Sequence, residues 1–468
     1  MRALVTKSHF KMKFHLTLIA STMKLTPLVT LLLASLTAIH AAEPPHILLR
    51  EALQYENIGD SGRVPGTIRQ LYQHLPGATV TLWPWSHLHE REQAMLTKAF
   101  PKLRIAEGQI DDSGKASTTA LAAAWKDADI FITPARHAKT FELWAKSGKP
   151  YGFFGSSFDP VSNRKHRPEG DTLDELKNVI AALPSNHFDG LFKHREVFHG
   201  AAFIFARDTL SLQYLKSQKL STPVIEFGLD GTFGIDVRDE GRAKAWLKRI
   251  GVEEGKFICV LPRLRYTPYY RVRNTPRNES DYALDAINAQ HANRDHAPLR
   301  DLITLWVRET GLKVILCPEM TYEIAVAKEH LLDPLPADVK SNVIWRNMFW
   351  SADEANSVYA RAVAIVSAEC HSPIMALSQG TPAFYVRNPV DTVKGQMFRD
   401  LGLTDWVFES GHTTGQQLWD QLKPLHEDRA AGRARVQEAM TKAAAIQKRM
   451  VEVLAEAVGK HKGTRRSR

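Results

Sequence analysis

Apolar and polar positions alternate along this chain in two distinct ways. Short continuous apolar runs, such as Ile47-Leu48-Leu49 and Phe257-Ile258-Cys259-Val260-Leu261, are separated by stretches in which apolar residues recur every three or four positions. The first pattern marks strands buried on both faces, and the second marks helices with one apolar face. From residue 46 the order reads strand 46–50, helix through Ile68, Leu71, Tyr72 and Leu75, strand 78–83, helix 91–100, strand 128–133 and helix 141–147. Further strands are expected at 201–205 and 224–227. A second series begins at Lys256, with strands at 257–261, 314–317, 343–344, 364–367 and 383–386. Its helices are expected at 299–309, 322–330, 353–360 and 372–379. From Gln416 to Val458 the pattern is helical, with no further strand.

Strands and helices alternating at this spacing imply βαβ units and parallel sheets. The expected fold class is therefore α/β, with two Rossmann-like lobes facing across a cleft and C-terminal helices closing the structure. The expected divisions are residues 42–245, 246–412 and 413–468. Ligands in such folds sit at the carboxyl ends of the strands, so residues just beyond each strand are the ones to examine. Between Arg265 and Leu299 lies a polar insertion rich in Arg, Asn and aromatic residues, expected to be long and irregular, and such loops beside a strand end commonly carry function.

Composition agrees with two cores: 468 residues are too many for one, and 44% apolar content is too high for disorder. The net charge of +10 suggests nucleic acid only until it is located. Arg2, Lys7, Lys11, Lys13 and Lys24 fall in residues 1–41, which hold no acid, and Lys460, Lys462, Arg465, Arg466 and Arg468 fall in the last nine. Without those ten, the body carries 51 basic against 51 acidic residues, which argues against a broad phosphate-backbone surface and leaves the tail as a solvated end. Lys24 precedes an apolar run from Leu25 to Ile39 that ends in Ala38-Ile39-His40-Ala41-Ala42. That run is shorter than a span of about 20 residues and suits an export signal over residues 1–41. An exported protein, periplasmic or extracellular and without a stable membrane span, is the expectation. Cys259, Cys317 and Cys370 have no metal-ligand spacing and read as buried thiols. No metal and no cofactor is expected.

Three segments carry more specific information. Asn57-Ile58-Gly59-Asp60 follows the opening strand, where Gly59 permits a sharp turn and Asn57 or Asp60 can hold the loop or cap the next helix. Arg207-Asp208 with Ser211, followed by Gly228-Leu229-Asp230, reads as a capped helix start and an Asp-containing loop, with Arg207 pairing locally. The third segment runs Ile365-Val366-Ser367-Ala368-Glu369-Cys370-His371-Ser372 into a helix of small and apolar residues, then Gly380-Thr381-Pro382 and another strand. Together the three resemble the polysaccharide pyruvyl transferase family, whose pattern has an N-x-G-D loop, an R-D-x-x-S helix start and S-x-R-x-H before a helix and G-x-P. Lys394, in Asp391-Thr392-Val393-Lys394, also follows that pattern. Two departures stand out. Glu369 replaces the family's Arg, and Phe131-Ile132-Thr133 leads into Pro134-Ala135-Arg136-His137 where the family has a Gly-rich loop.

The resemblance implies a GT-B-like fold and transfer of the enolpyruvyl unit of phosphoenolpyruvate to one or two hydroxyls of a sugar, with release of phosphate. Protonating the methylene carbon calls for a general acid of near-neutral pKa, and His371, just after a strand and at a helix start, is the candidate. The anionic donor needs fixed cations, supplied by Arg263 and Arg265 beyond the 257–261 strand and by Lys394, while Arg387 reads as a solvated loop charge. Glu319 and Glu323 follow the 314–317 strand. Glu319 is the candidate base or sugar-hydroxyl ligand, or alternatively a helix cap. Glu369, Asn57, Gly59 and Asp60 complete the expected substrate-binding set. The expected partners are phosphoenolpyruvate or another anionic donor and a glycan or glycolipid acceptor, with no nucleic acid.

Two other functions compete. One is a glycosyltransferase using a nucleotide sugar across the same two lobes. The other is a non-catalytic glycan-binding protein, in which Tyr266, Tyr269, Tyr270, Trp345, Phe349 and Trp350 stack on sugar rings. Export would separate an enzyme from phosphoenolpyruvate, a cytosolic metabolite, and a failed signal reading would leave the chain cytoplasmic. The G-x-S-x-G, H-E-x-x-H and Walker patterns are absent.

Overall fold

The structure, a computed structural model, describes residues 44–134, 138–161, 170–192 and 194–466. The expected export signal, Ala135-Arg136-His137 and Arg468 lie outside the described residues.

Two wholly parallel sheets form the frame. The first holds β1 (His46–Glu51), β2 (Thr79–Pro84), β3 (Arg104–Ile105), β4 (Ile130–Thr133), β5 (Tyr151–Ser156), β6 (Phe203–Ala206) and β7 (Ile225–Phe227), in the order β3-β2-β1-β4-β5-β6-β7. The second holds β8 (Phe257–Leu261), β9 (Lys313–Leu316), β10 (Val343–Trp345), β11 (Ile365–Ser367), β12 (Ala383–Arg387) and β13 (Val407–Glu409), in the order β10-β9-β8-β11-β12-β13. Every residue of β4, β5, β8 and β12 is buried. Helices cover both faces of each sheet, which is why these strands read as continuous apolar runs. The strand order reverses between β1 and β4 in one sheet and between β8 and β11 in the other. A crevice opens at each of those points.

Four helices position the site. The first, α1 (Ile58–His74), starts on Asn57, whose side chain accepts from Gly59 N at 2.8 Å and Asp60 N at 3.3 Å. The second, α2 (Glu279–Thr310), opens with a capping box between Asn278 and Asp281. Its end is the helix expected at 299–309, but its earlier turns overturn the expectation of an irregular insertion, because the buried face there is largely polar (Asn288, His291, Asp295, His296) and shows no apolar period. The third, α3 (His371–Ser378), begins at His371 itself. The fourth, α4 (Arg429–Arg466), buries Val436, Ala439, Ala443, Met450, Leu454 and Val458 at spacings of three, four and seven, one stripe of a helix.

That stripe carries α4 from the second lobe back to the first. Leu229 N donates to Met450 Sδ at 3.3 Å, Arg449 pairs with Glu226 at 2.9 Å, and Lys462 pairs with Asp129 at 3.0 Å. The basic end is therefore partly docked, where a solvated tail was expected. Within the first lobe, backbone packs on backbone where the second lobe will meet it. A Cβ on Gly66 of α1 would stand 2.0 Å from the Gly231 carbonyl oxygen, so α1 lies directly on the backbone of the short 3-10 helix Gly231–Gly234. On its other side that turn meets α3, where the Ser378 hydroxyl donates to the Phe233 carbonyl at 3.2 Å.

The expected helix at 322–330 is instead a short helix, Glu323–Val326, followed by a π-helical turn, Ala327–Leu332. β3 and β13, at two and three residues, are too short to show a period and have no counterpart in the sequence reading. All three cysteines are buried and free, as expected. Among the described residues no helix is long and apolar enough to cross a membrane.

Candidate active site

The segments that follow β1, β7, β8, β9, β11 and β12 carry a single cluster of charged residues. Its centre is His371, which is 7% exposed. Imidazole Nδ1 lies 3.3 Å from Glu319 Oε1, and the other oxygen, Oε2, accepts the Ser372 backbone N–H at 2.7 Å. Glu319 thus orients the ring and caps α3 at once, with one carboxylate oxygen for each task. With Nδ1 donating to Glu319, the tautomer assigned by this geometry leaves Nε2 as the working nitrogen. Nε2 is buried and has no hydrogen-bond partner among the described residues, and Asp230 Oδ2 stands 3.9 Å from it.

Asp230 is held by Arg207 Nη1 at 2.9 Å and by Thr232 N at 3.0 Å. Burial pushes its carboxyl up, but His371, Arg207 and Arg63 outweigh burial and hold it well below the usual carboxylate range. Glu319 follows the same logic: burial raises it, and His371 with Ser372 brings it lower than an ordinary glutamate. Two ionised carboxylates therefore flank the imidazole.

The Asn57–Asp60 loop meets this pair from the first lobe. Ile58 N donates to the Glu319 carbonyl at 2.9 Å, and Thr321 N donates to the Glu56 carbonyl at 3.1 Å, a two-way backbone bridge. A Cβ on Gly59 would stand 2.7 Å from His371 Nδ1 and 2.8 Å from Glu319 Oε1. The absence of a side chain there is what lets the loop press against the dyad. Asn57 spends its side chain on capping α1, and Asp60 lies 3.7 Å from Arg63. These three residues hold the site together, and none of their side chains reaches past it.

On the far side of the cluster, Arg263 pairs with Asp391 at 2.6 Å and with Glu369 at 3.1 Å, and Lys394 lies 3.8 Å from Asp391. The Tyr385 hydroxyl also donates to Asp391. Burial raises Glu369 above the usual range, Arg263 opposes that, and Glu319 adds to it. Glu323 Oε2 accepts from Glu319 N at 2.7 Å and Met320 N at 3.1 Å, so this residue shapes the loop that presents Glu319. Burial, then Glu369 and Glu319, push Glu323 well up.

His371, Glu319, Glu369, Arg263 and Lys394 are thus brought together, along with the Asn57–Asp60 loop. Arg265 is not. It is 3% exposed and grips Asp295 of α2 through two hydrogen bonds, at 2.5 and 2.8 Å. Its guanidinium is a strut between the β8 loop and α2. Arg387 is likewise no solvated loop charge: it is fully buried and bonds the Asp171 carbonyl at 2.7 Å and Glu409 at 2.8 Å. Sequence reasoning treated Arg207 and Asp230 as scaffold, yet they supply the second carboxylate beside His371. It also passed over Glu51, which Arg63 contacts at 3.0 Å. A lone acid ending an apolar strand was the available signal.

A family model described as polysaccharide pyruvyl transferase matches residues 57–389, from the first residue of the Asn57–Asp60 loop to just beyond β12. The chain belongs to that family. It is accordingly a transferase. No curated protein matches it significantly. Among solved structures it is similar to UDP-GlcNAc 2-epimerase from Neisseria meningitidis bound to UDP-GlcNAc, with 13% identity, 88% of this chain and 100% of that chain covered, and a TM-score of 0.52. A UDP-glucosyltransferase from Polygonum tinctorium gives 11% identity, 90% and 100% coverage and a TM-score of 0.52. HepE from Anabaena, in complex with UDP and glucose, gives 11%, 89%, 100% and 0.50. At such identities the likeness establishes the GT-B-like fold alone. In this pyruvyl transferase family member, the matched span contains the Asn57–Asp60 loop, Asp230, Arg263, Glu319, Glu369 and His371, while Asp391 and Lys394 lie just beyond it.

Proposed function

We propose that the protein transfers the pyruvyl group of phosphoenolpyruvate to a sugar of a glycan, with His371 as the proton donor. The observation that carries this reading is the state of His371: Nδ1 is tied to Glu319 while Nε2 is buried and without a hydrogen-bond partner among the described residues. A buried polar atom left unpaired costs about 1–3 kcal/mol, and a substrate atom at Nε2 would recover it.

In this scheme a proton on Nε2 passes to the methylene carbon of the donor as a sugar hydroxyl adds to the neighbouring carbon. The hydroxyl proton returns to the imidazole. The bond from that carbon to the phosphate oxygen then breaks, phosphate leaves with the electron pair, and a second hydroxyl closes the ketal on the same carbon as its proton passes to the departing phosphate. Glu319 keeps the ring in one orientation through the cycle, as the orienting acid of a hydrolytic triad does. In this reading Arg263 and Lys394 supply the cations for the donor's carboxylate or phosphate.

The test is phosphate release from phosphoenolpyruvate with a panel of p-nitrophenyl glycosides, with the ketal methyl group followed by NMR. Wild type is expected to turn over at least one acceptor, and His371→Gln to lose turnover while unfolding at the same temperature. Turnover of UDP-glucose in place of phosphoenolpyruvate, or full activity in the variant, would overturn the proposal. Cell fractionation then decides whether the working enzyme sits with its donor or beyond the membrane, as the N-terminal signal proposes.

A further inference from the structure

The insertion between β8 and β9 gathers aromatic rings and guanidinium groups at the surface. In its short helix, Tyr269–Val272, and the turns after it, Arg273 lies 4.7 Å over the Tyr269 ring, while Arg277 lies 4.2 Å over Tyr282 and 5.1 Å over Tyr270. Tyr269 and Tyr282 are 45% and 58% exposed. Large rings left in water in one patch mark a surface that meets a ligand. Arg277 is neutralised by Asp285, whereas Arg271 and Arg273 have no carboxylate partner among the described residues. Arg271 gives only its Nε–H, to the Tyr270 hydroxyl at 2.8 Å, which leaves its fork of terminal N–H groups for something else.

Arg271 is also where this patch meets a cavity. The cavity has a volume of 710 Å³, and Arg271, Thr321, Tyr322, Trp345 and Lys328 are among the residues that line it. That volume lies inside the range of about 300–1,000 Å³ usual for small-ligand sites. Lys328 is paired with Asp333 at 2.8 Å, so of the two cations in the lining it is Arg271 that has no carboxylate partner among the described residues, and Glu329, 3.7 Å from His330, is the remaining acid. The Trp345 indole N–H donates to the Ile324 carbonyl at 2.9 Å, which fixes the ring plane. The floor is the π-helical turn Ala327–Leu332, a local unwinding that often accompanies a binding surface.

His371 does not line this cavity. The link to the chemistry is the loop that carries Glu319: Thr321 and Tyr322, two and three residues further on, form the inner wall. Tyr322 is 8% exposed, and the charges that act on its hydroxyl are those of Glu323, Glu369 and Arg263. One face of Tyr322 thus belongs to the cavity and its hydroxyl to the catalytic cluster.

From this juxtaposition we propose that the cavity beside Tyr322 and Trp345, with the Arg271 to Tyr282 patch at its mouth, is the subsite for the acceptor oligosaccharide. Its sugar rings stack on Trp345 and the exposed tyrosines, and the Arg271 fork donates to their hydroxyl and ring oxygens. The sugar at the inner end lies against Tyr322 and presents its hydroxyls to the Glu319 loop. This assignment rests on the pyruvyl-transfer reading for the identity of the sugar as an acceptor, though the binding of saccharide does not.

Saturation-transfer NMR on the full chain, with a panel of neutral trisaccharides and their p-nitrophenyl glycosides, reads binding without turnover. Expected is contact with at least one sugar, weakened at least tenfold in Arg271→Ala and in Trp345→Leu and unchanged in His371→Gln. If transfer is active, Arg271→Ala should raise the acceptor KM by a similar factor and leave the KM for phosphoenolpyruvate unaltered. Sugar binding that both variants leave intact, or no binding by any member of the panel, overturns the subsite. A sugar that binds as described, in a protein that never consumes phosphoenolpyruvate, overturns the function proposed above and leaves the subsite standing.

Discussion

Gly59→Ala isolates the geometric argument, because it adds one methyl group and removes nothing. The new Cβ would sit 2.7 Å from His371 Nδ1 and 2.8 Å from Glu319 Oε1, where ordinary contact begins at 3.4 Å, so the imidazole must retreat by about 0.7 Å. The third contact, His371 Cβ at 2.8 Å, is tied to the backbone, so the start of α3 must shift along with the ring. Glu319 is the less free of the two side chains, since its second oxygen is held by Ser372 N at 2.7 Å. The movement therefore falls mainly on His371 and opens the contact with Glu319, already 3.3 Å long. A displacement of about 1 Å in a reacting group costs on the order of 100-fold in rate. Folding should suffer less. Alanine is better than glycine within a helix by up to about 1 kcal/mol, which offsets part of an overpacking cost of about 1–3 kcal/mol.

The expected result is a kcat lower by roughly 100-fold with a loss of stability of about 1–2 kcal/mol at most. Phosphate release at saturating substrate and calorimetry on the same samples supply the two numbers. A variant with kcat close to wild type would refute the claim that this loop is seated against the dyad. Equal losses of stability and activity would refute the claim that its effect is local.

Glu319→Gln keeps an acceptor for Ser372 N but removes the charge that orients His371; kcat is expected to fall on the order of 1,000-fold with little change in the KM for the donor, and a change confined to KM would argue against an orienting role. Gly66→Ala forces a Cβ to 2.0 Å from the Gly231 carbonyl oxygen, and because backbone cannot swing aside it should cost about 3 kcal/mol in denaturant unfolding. As its control, Gly459→Ala on α4 meets nothing within 4 Å and should stabilise by about 1 kcal/mol. Asp208 is pushed up to about 7 by burial, against the pull of its hydrogen bonds to Ser211. Since that folded value lies above the ordinary 3.8, Asp208 costs stability as pH rises through the interval between them, by about 1.4 kcal/mol per unit, and adds no further loss above it. Asp208→Asn preserves the cap and should flatten that slope in urea titrations, whereas parallel wild-type and variant curves would refute it.

The parts of this architecture that were legible in the sequence are those where one element decides the outcome. β4 and β8 are buried on both faces, so their apolar runs could mean little else. His371 and Glu319 were legible as strand-end residues in the same way. Their pairing was not, because it joins positions 52 residues apart, the start of α3 and the loop after β9. The last third of α2 was legible in Leu299, Leu302, Ile303 and Trp306, but the turns before it were missed for a physical reason: their buried face is built from His291, Asp295 and His296, which periodicity counts as polar. The two arginines beyond β8 show the limit most clearly. Arg263 and Arg265 are two residues apart, yet one turns to Asp391 and the other to Asp295 of α2. Position beyond a strand end was the right criterion for both, but the carboxylate each would meet is set by elements 30 and 128 residues away.

What tertiary structure adds last is the charge balance around the proposed donor site. Arg263 is held between Glu369 and Asp391, and Lys394 shares Asp391. An incoming anion must compete with both carboxylates. Asp391 will not yield: burial raises it, but Arg263 and Lys394 more than reverse that and hold it far below the ordinary range. Glu369 is displaced upward by burial, so it is the carboxylate that takes up a proton first as pH falls, and its protonation frees Arg263 from one partner. Affinity for phosphoenolpyruvate should accordingly increase toward acid pH. A unit charge about 8 Å from a donor anion repels it by roughly 2 kcal/mol at an effective dielectric of about 20. Glu369→Gln removes that charge permanently, so the donor KM should fall by about 30-fold at pH values where Glu369 is ionised and lose most of its pH dependence, with the acceptor KM unmoved. The measurement is the KM for phosphoenolpyruvate across the neutral range in wild type and variant. A higher KM in Glu369→Gln would mean that the glutamate holds Arg263 in its binding position instead of competing for it, and the carboxylate would then belong to the donor site in its own right.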